Sequence, residues 1–173
     1  MATPNPTTTT PTKGAGTTFW RLKDSADLSQ IADLLADEQW TLIAKVKEIQ
    51  PGEVTVEDEE DQYLDDVNPD WTSTAPGQKS AGELSLTLAW MPGDTAQQQL
   101  YQDVVDGKVT YYRTKYPNGT VDIDHGYING WGKAVAQKER MTRAIKIKKV
   151  GKPKTAEEIL ASVAQASAEA PVE

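Results

Sequence analysis

The sequence is poor in the residue types on which most catalytic and metal sites depend. It contains no cysteine and one histidine, His125. Without cysteine there is no disulfide framework and no thiolate site. One histidine is a weak basis for a Ser-His-Asp triad and excludes a His-rich metal centre. We therefore expect no enzymatic activity, no cofactor and no bound metal.

Glycine-rich phosphate loops and calcium loops are missing as well. The piece "KGAGTT" at 13–18 has its lysine before the glycines, and a strand pattern follows instead of the helix that would hold a phosphate. The acidic run at 57–66 has neither the glycine nor the alternating ligands of an EF-hand loop. Neither segment predicts a ligand site.

Long apolar runs are also absent. Hydrophobic residues make up 38% of the 173 positions, which is below the globular average. No stretch approaches the roughly 18 apolar residues of a membrane span. The N-terminus lacks the apolar core of a signal peptide. These features predict one domain with a modest core and long polar segments, folded in a cytoplasm.

Charge is unevenly distributed along the chain, whose formal net charge is −8. Residues 51–82 hold nine acids and one lysine, whereas residues 83–150 hold seven acids and ten bases. A chain this acidic is not expected to bind DNA non-specifically. The layout suggests that one copy docks on another, acidic segment to basic strand; the plainer alternative is a solvated charge run.

Hydrophobic periodicity predicts a mainly β fold, a β-sandwich or barrel of about six or seven strands with one flanking α-helix. The best helix signal starts at the N-cap Asp94 and ends at Gly107, with an apolar stripe of Leu100, Tyr101, Val104 and Val105. A short helix is predicted over 28–35, with Trp40 as its cap, and a fraying helix from Thr155 with Glu158 closing a capping box. Strands are predicted at 17–22, 41–49, 53–57, 83–91, on both sides of a turn at Asn118–Gly119, and at 139–150.

These patterns divide the chain into three parts. They are a flexible N-terminal arm at 1–16, a domain at 17–150 that includes a long loop at 58–82, and a C-terminal tail at 151–173. Loops of this length are usually functional or disordered. Trp71 stands alone in the loop, whereas Trp20, Trp90 and Trp131 fit strand patterns as core residues. We interpret Trp71 as an anchor for a partner.

Nine short pieces, in this order and spacing, give the chain a family resemblance. They are "PNPT" (4–7), "KGAGTT" (13–18), "AKVKEIQPGE" (44–53), "YLDD" (63–66), "DWT" (70–72), "GQKSAG" (77–82), "LAWMPG" (88–93), "YPNGTVD" (116–122) and "GKAV" (132–135). Over residues 4–153 the chain closely resembles the lambda-type tail tube proteins, the major tail proteins of siphophages with long, flexible, non-contractile tails. Segment 24–40 departs from the pattern.

The resemblance implies a structural virion protein that forms hexameric rings, stacks them into the tail tube and provides the conduit for genome ejection. It implies assembly in the host cytoplasm and contact with the tape measure, tail terminator and tail tip proteins. DNA would pass through the lumen without specific binding. Two alternatives stay open: an inner tube protein of a contractile tail or secretion system, and a β-sandwich carbohydrate-binding module.

The resemblance also implies roles for particular residues. By carry-over, an assembly loop between rings includes Tyr63, Leu64, Asp65, Asp66, Asp70, Trp71, Gln78 and Lys79. A second assembly arm includes Lys13, Gly14 and Gly16. We further hypothesise that Glu53, Glu57, Asp122 and Asp124 face the lumen, and that Arg140, Lys146 and Lys148 face neighbouring subunits or the outside.

Overall fold

The structure is a computed structural model that describes residues 10–26, 35–61, 67 and 70–168. Its described part is mainly β, as predicted, with nine strands and two α-helices. The strands are β1 Thr18–Leu22, β2 Trp40–Ile43, β3 Val46–Gln50, β4 Thr55–Asp61, β5 Ser73–Ser80, β6 Glu83–Ala89, β7 Thr110–Lys115, β8 Val121–Ala134 and β9 Thr142–Lys149; the helices are α1 Thr95–Asp106 and α2 Ala156–Ala168. The helix expected over 28–35 lies almost wholly outside the described residues, which show a 3-10 turn at Asp37–Gln39.

Seven strands form one antiparallel sheet in the order β2-β1-β7-β8-β9-β6-β3, and β4 pairs with β5 separately. The single strand predicted over 41–49 is therefore wrong, because β2 and β3 lie at opposite edges of the sheet. Lys45 interrupts the strand with a positive φ of 58°, and its carbonyl accepts a hydrogen bond from the Ala89 amide. Three peptide units span at most about 11 Å, so the two edges meet at this corner and the sheet curves back on itself.

The concave face of the sheet holds the main core. Leu84, Leu86 and Leu88 of β6 are fully buried and alternate with half-exposed residues, as their period of two predicts. Helix α1 begins as expected, with the Asp94 side chain accepting from the Gln97 amide at 3.2 Å. It ends at Gly107 in the left-handed region. This core is formed by Phe19, Ile43, Leu84, Leu86, Leu88, Ala96, Leu100, Tyr112, Ile128, Ile145 and Ile147.

The buried side of α1 differs from the predicted stripe. Leu100 is buried, but Tyr101 and Val105 are exposed, and Gln97 and Asp103 are buried instead. The reason is that the sheet side of the helix offers hydrogen-bonding and charged partners to these two polar side chains. The side-chain amide of Gln97 donates to the Ala89 carbonyl. Asp103 forms a buried ion pair with Arg21 of β1, in which Arg21 Nη2 lies 2.7 Å from Asp103 Oδ1.

A second core covers the opposite face of β1, β2, β7 and the first half of β8. It consists of Leu22, Trp40, Val121, Ile123 and Ile159. Trp40 of β2 is 2% exposed in this core; the helix that it was expected to cap lies almost wholly outside the described residues, so that role stays a prediction. Ile159 belongs to α2, which therefore packs against the domain instead of fraying as expected.

The start of α2 is fixed by the domain and not by its own capping box. The Ala156 amide donates to Asp122 Oδ1 at 2.7 Å, and Lys154 and Ile123 exchange two backbone hydrogen bonds. Glu158, expected to close a capping box, instead pairs with Lys152 at 2.9 Å. The tail predicted at 151–173 is thus tied to β8 as far as α2 is described.

Candidate functional site

The most exposed element is a two-stranded hairpin, which we call the acidic arm and define as β4 and β5 with the described residues between them. Its register runs from Thr55 opposite Ser80 to Asp61 opposite Ser73. Every residue of β4 is exposed, and five of its seven are the consecutive acids 57–61. The expectation of an irregular loop over 58–82 is therefore wrong for 58–61 and 73–80, which form strands.

Backbone pairing explains how this segment forms strands without hydrophobic periodicity. Pro76 of β5 cannot donate a hydrogen bond, and a register shift between Val56 and Asp58 places it opposite Asp58. The arm buries no core of its own, and Trp71 near its tip is 80% exposed. Isolated two-stranded hairpins are marginally stable in water. The arm is therefore held by its own backbone pairing and by its root, and not by a buried core.

Two glycines fix the root of the arm. Gly52 and Gly82 both have positive φ, at 78° and 70°. A Cβ on Gly82 would lie 2.5 Å from the Glu53 carbonyl oxygen, and one on Gly52 would lie 2.3 Å from the Glu83 carbonyl oxygen. The two chain segments thus cross in closer contact than any side chain allows, and this crossing sets the direction in which the arm leaves the domain.

The residues of the expected assembly loop that the structure describes all lie on this arm. Asp70, Trp71, Gln78 and Lys79 are exposed. Tyr63, Leu64, Asp65 and Asp66 lie outside the described residues. The role of the whole set stays a prediction, and the structure adds that its described members share one projecting element.

The expected N-terminal assembly arm leads into β1. Lys13, Gly14 and Gly16 are exposed, and a turn forms where Thr17 donates from its amide and its hydroxyl to the Gly14 carbonyl, at 3.2 and 2.7 Å. Residues 10–17, the 116–120 turn and the start of α2 line a cavity of about 380 Å³. The assembly role of this segment stays a prediction.

Two of the four expected lumen acids are engaged within the chain. Asp124 is 3% exposed and lies 2.9 Å from Lys149 Nζ. Burial raises the pKa of Asp124 against the lowering effect of the Lys149 ammonium. Asp122 accepts from the Tyr116 hydroxyl at 2.6 Å as well as from the start of α2. The burial of Asp124 argues against a place on a lumen wall, whereas the orientation of the half-buried Asp122 in an assembly stays a prediction.

The other two acids are placed differently. Glu53 at the arm root and Glu57 on β4 are exposed. Their orientation toward a channel stays a prediction.

One face of the sheet is polar and carries charges of both signs. We call it the open face and define it as the side of β3, β6, β9 and the second half of β8 that is opposite the main core. Here Lys146 and Lys148 of β9 are exposed, as is Arg140 shortly before it. Their orientation in an assembly stays a prediction. Glu83 of β6 accepts from Asn129 at 2.8 Å and pairs with Lys146 at 3.4 Å. The hydrogen bond from Asn129 and these lysines lower the pKa of Glu83. The open face therefore carries paired charges of opposite sign.

The described residues contain no group of three or more acids or histidines placed to hold a metal ion. His125 stacks on Tyr111, with ring centroids 4.3 Å apart. Neither α-helix in the described part of the chain is long and apolar enough to cross a membrane.

Comparison with known proteins gives a consistent result. Residues 22–156 match the family model described as the lambda phage tail tube protein. No curated protein matches the chain. The chain is similar in structure to the tail of an empty gene transfer agent (GTA) particle solved with C6 symmetry, at 15% identity and a TM-score of 0.59 over 84% of this chain and 98% of that one.

Two other solved structures show the same likeness. The SPP1 tail tube aligns at 15% identity and a TM-score of 0.57 over 87% of this chain and 86% of that one. A chain of the anti-feeding prophage (AFP) baseplate aligns at 10% identity and a TM-score of 0.58 over 86% and 98%. At such low identities these likenesses show a shared fold.

Proposed function

The chain belongs to the lambda phage tail tube protein family, and from that premise we propose that its copies form hexameric rings which stack into the tube of a long, non-contractile phage tail. The tube is the conduit for genome ejection. The chain is a structural protein of the virion tail, assembled in the host cytoplasm.

The observation that carries this proposal is the acidic arm. It leaves a closed, well-packed domain at a root fixed by two glycines, and it exposes a tryptophan and five consecutive acids without a core of its own. A hairpin that becomes ordered between identical copies has this composition, because it stays solvated in the free chain and gains buried area only on assembly.

The open face supplies a wall for the channel in this proposal, which turns Lys146 and Lys148 toward the lumen and replaces the expectation that they face neighbouring subunits or the outside. It spans four strands, so six copies contribute about 24 strands to a continuous barrel. At about 4.8 Å between strands and about 40° tilt, the circumference is roughly 150 Å and the diameter about 48 Å. A duplex about 20 Å across passes with water on all sides. Glu53 and Glu57 are our candidates for acids that face this channel and keep DNA from adhering.

The remaining partners follow from the family. We expect the tape measure protein inside the tube, the tail terminator at one end and the tail tip proteins at the other. Lys13, Gly14 and Gly16 then belong to a second segment that becomes ordered on assembly. DNA contacts the tube only through its charge, without a base-reading site.

A contractile or secretion inner tube is the second candidate, favoured by the fold likeness to the anti-feeding prophage chain.

Electron microscopy of concentrated protein in negative stain tests the main proposal. Hollow tubes of stacked six-fold rings are the expected result. Particles that stay single at every concentration, even beside purified tail tip proteins, contradict it. Tubes that recruit a co-expressed contractile sheath identify the second candidate instead.

A further inference from the structure

An open groove lies between helix α1 and the far end of the main sheet. Its aromatic lining is Trp90, Tyr101 and Trp131, and its volume is about 390 Å³. The Tyr101 ring lies 5.8 Å from the Trp131 ring, yet 53% of Tyr101 is exposed. We call this feature the aromatic groove. Its tyrosine contributes little to the core, although it stands on the best-formed helix of the molecule.

Arg143 lines the same groove, and Lys133 lies over one of its tryptophans. The Arg143 guanidinium lies 4.5 Å above the Trp131 ring, and Lys133 Nζ lies 4.2 Å from the Trp90 ring centroid. A cation held over an aromatic face still presents donors on its outer side, so it can pair with an incoming carboxylate. The groove therefore suits a ligand that combines a large aromatic ring with negative charge beside it.

We propose that the aromatic groove is the receptor for the acidic arm of a second copy, with Trp71 seated between Trp90, Tyr101 and Trp131. This inference rests on the proposed function, because it names the surface by which copies in stacked rings hold each other. Trp71 is a single large apolar residue in a polar stretch of the arm, and the acidic Asp70 directly precedes it. The carboxylates of β4 lie across the hairpin from β5, which begins two residues after Trp71, and they supply the complementary charge.

Size and exposure agree with this pairing. A tryptophan side chain buries about 150–250 Å², and grooves of about 300–1,000 Å³ are the usual size of sites that enclose such groups. In the isolated chain Trp71 is exposed and the groove is open. Arm and groove are thus both available to other copies, as a contact that forms only on assembly requires.

Disulfide trapping tests the inference directly, because the chain has no cysteine of its own. One population carries Asp70→Cys, which keeps Trp71, and another carries Gln102→Cys in the lining of the groove. Mixed tubes, oxidised with copper phenanthroline, are expected to yield covalent dimers on non-reducing gels. The matched control replaces Gln102→Cys with Glu157→Cys, an exposed position on α2, and is expected to give at least tenfold less dimer.

The outcomes separate this inference from the proposed function. Tubes that form but cross-link as well at position 157 as at position 102, or at neither, overturn the groove while leaving the tube intact. Failure of every population, including the unmodified chain, to form tubes overturns both. The dimer must contain one copy of each variant, which mass spectrometry of the linked peptides checks.

A charge substitution gives a second, independent test. Tyr101→Glu places a carboxylate where the acidic arm docks, whereas Tyr101→Lys removes the same ring and adds a cation. We expect Tyr101→Glu to raise the protein concentration needed for tubes at least tenfold, and at least threefold more than Tyr101→Lys does. Equal effects of the two variants, with unchanged melting temperatures, overturn the proposed charge complementarity.

Discussion

Replacing Trp71 by alanine separates folding from assembly. The side chain is 80% exposed in the isolated chain, so we expect the free energy of unfolding to change by less than about 0.5 kcal/mol. Full burial of such a side chain on assembly contributes about 2–3 kcal/mol per contact. At about 1.4 kcal/mol per factor of ten, Trp71→Ala should raise the concentration needed for tubes by about 30- to 140-fold.

Two measurements check this expectation. Circular dichroism follows the thermal unfolding of the monomer, and sedimentation of tubes over a concentration series gives the assembly threshold. Trp40→Ala is the contrasting variant, because Trp40 is 2% exposed and its truncation should cost about 3–5 kcal/mol of folding stability. A lowered melting temperature for Trp71→Ala, or an unchanged threshold, would refute the assignment of Trp71 as an assembly anchor.

Three further variants test the fold that holds the arm and groove in place. Asp103→Asn removes one of the two carboxylates that pair with Arg21, the other being Asp24, and urea unfolding should show a loss of about 1.5–3 kcal/mol. Gly82→Ala brings a Cβ to 2.5 Å from the Glu53 carbonyl oxygen; we expect a loss of at least about 1–2 kcal/mol and fewer tubes. Asp24 has a pKa lowered by its hydrogen bond from a lysine, so it stabilises the fold above about pH 4 and loses this contribution as pH falls through its folded pKa. Asp24→Asn should therefore flatten the acid side of the stability profile, by less than about 1 kcal/mol because the pair is exposed.

Asp103→Asn and Gly82→Ala each have a matched control. Asp106→Asn lies on the exposed side of α1, and Gly93→Ala meets no atom within 4 Å, so both should change stability by less than about 0.5 kcal/mol. Equal losses for variant and control would show that the buried pair or the close crossing is unimportant. An acid profile unaltered by Asp24→Asn would show that its ion pairs with Lys108 and Arg21 do not contribute to folding.

Local signals in the sequence predicted the parts of the fold that depend on local chemistry. The alternation of Leu84, Leu86 and Leu88, the N-cap Asp94 and the turn at Asn118–Gly119 all reappear in the structure. Each of these features is decided by residues a few positions apart. The overall class of a mainly β domain with a flanking helix followed from them.

Long-range pairing explains what the sequence did not reveal. Lys45 splits an apparently continuous strand because Ile43 and Val46 pair with β1 and β6, which are far apart in the chain. The acidic arm shows no period, since neither face of β4 is buried, and only its register with β5 makes it a strand. Helix α2 docks because Ile159 meets β8 residues more than thirty positions earlier.

Only part of the candidate site was predicted, because the rest of it also depends on contacts between residues that are far apart in the sequence. Trp71 stood out because no strand pattern absorbed it. Trp90 and Trp131 were assigned to the core because they lie in or beside strands, and their open sides became visible only when α1 placed Tyr101 opposite them. A polar residue on the same strand face as a buried one, such as Asp124, likewise gives no local sign that it is paired.

The row of acids on β4 has a consequence for free copies before any ring exists. Both outer edges of a two-stranded ribbon carry unpaired backbone groups, which invite another ribbon to add on and begin a fibril. Five adjacent carboxylates on each copy repel a second arm within about 8 Å at physiological salt, the distance at which such stray pairing begins. The same charges thus keep free copies dispersed in solution until a surface of opposite charge receives the arm.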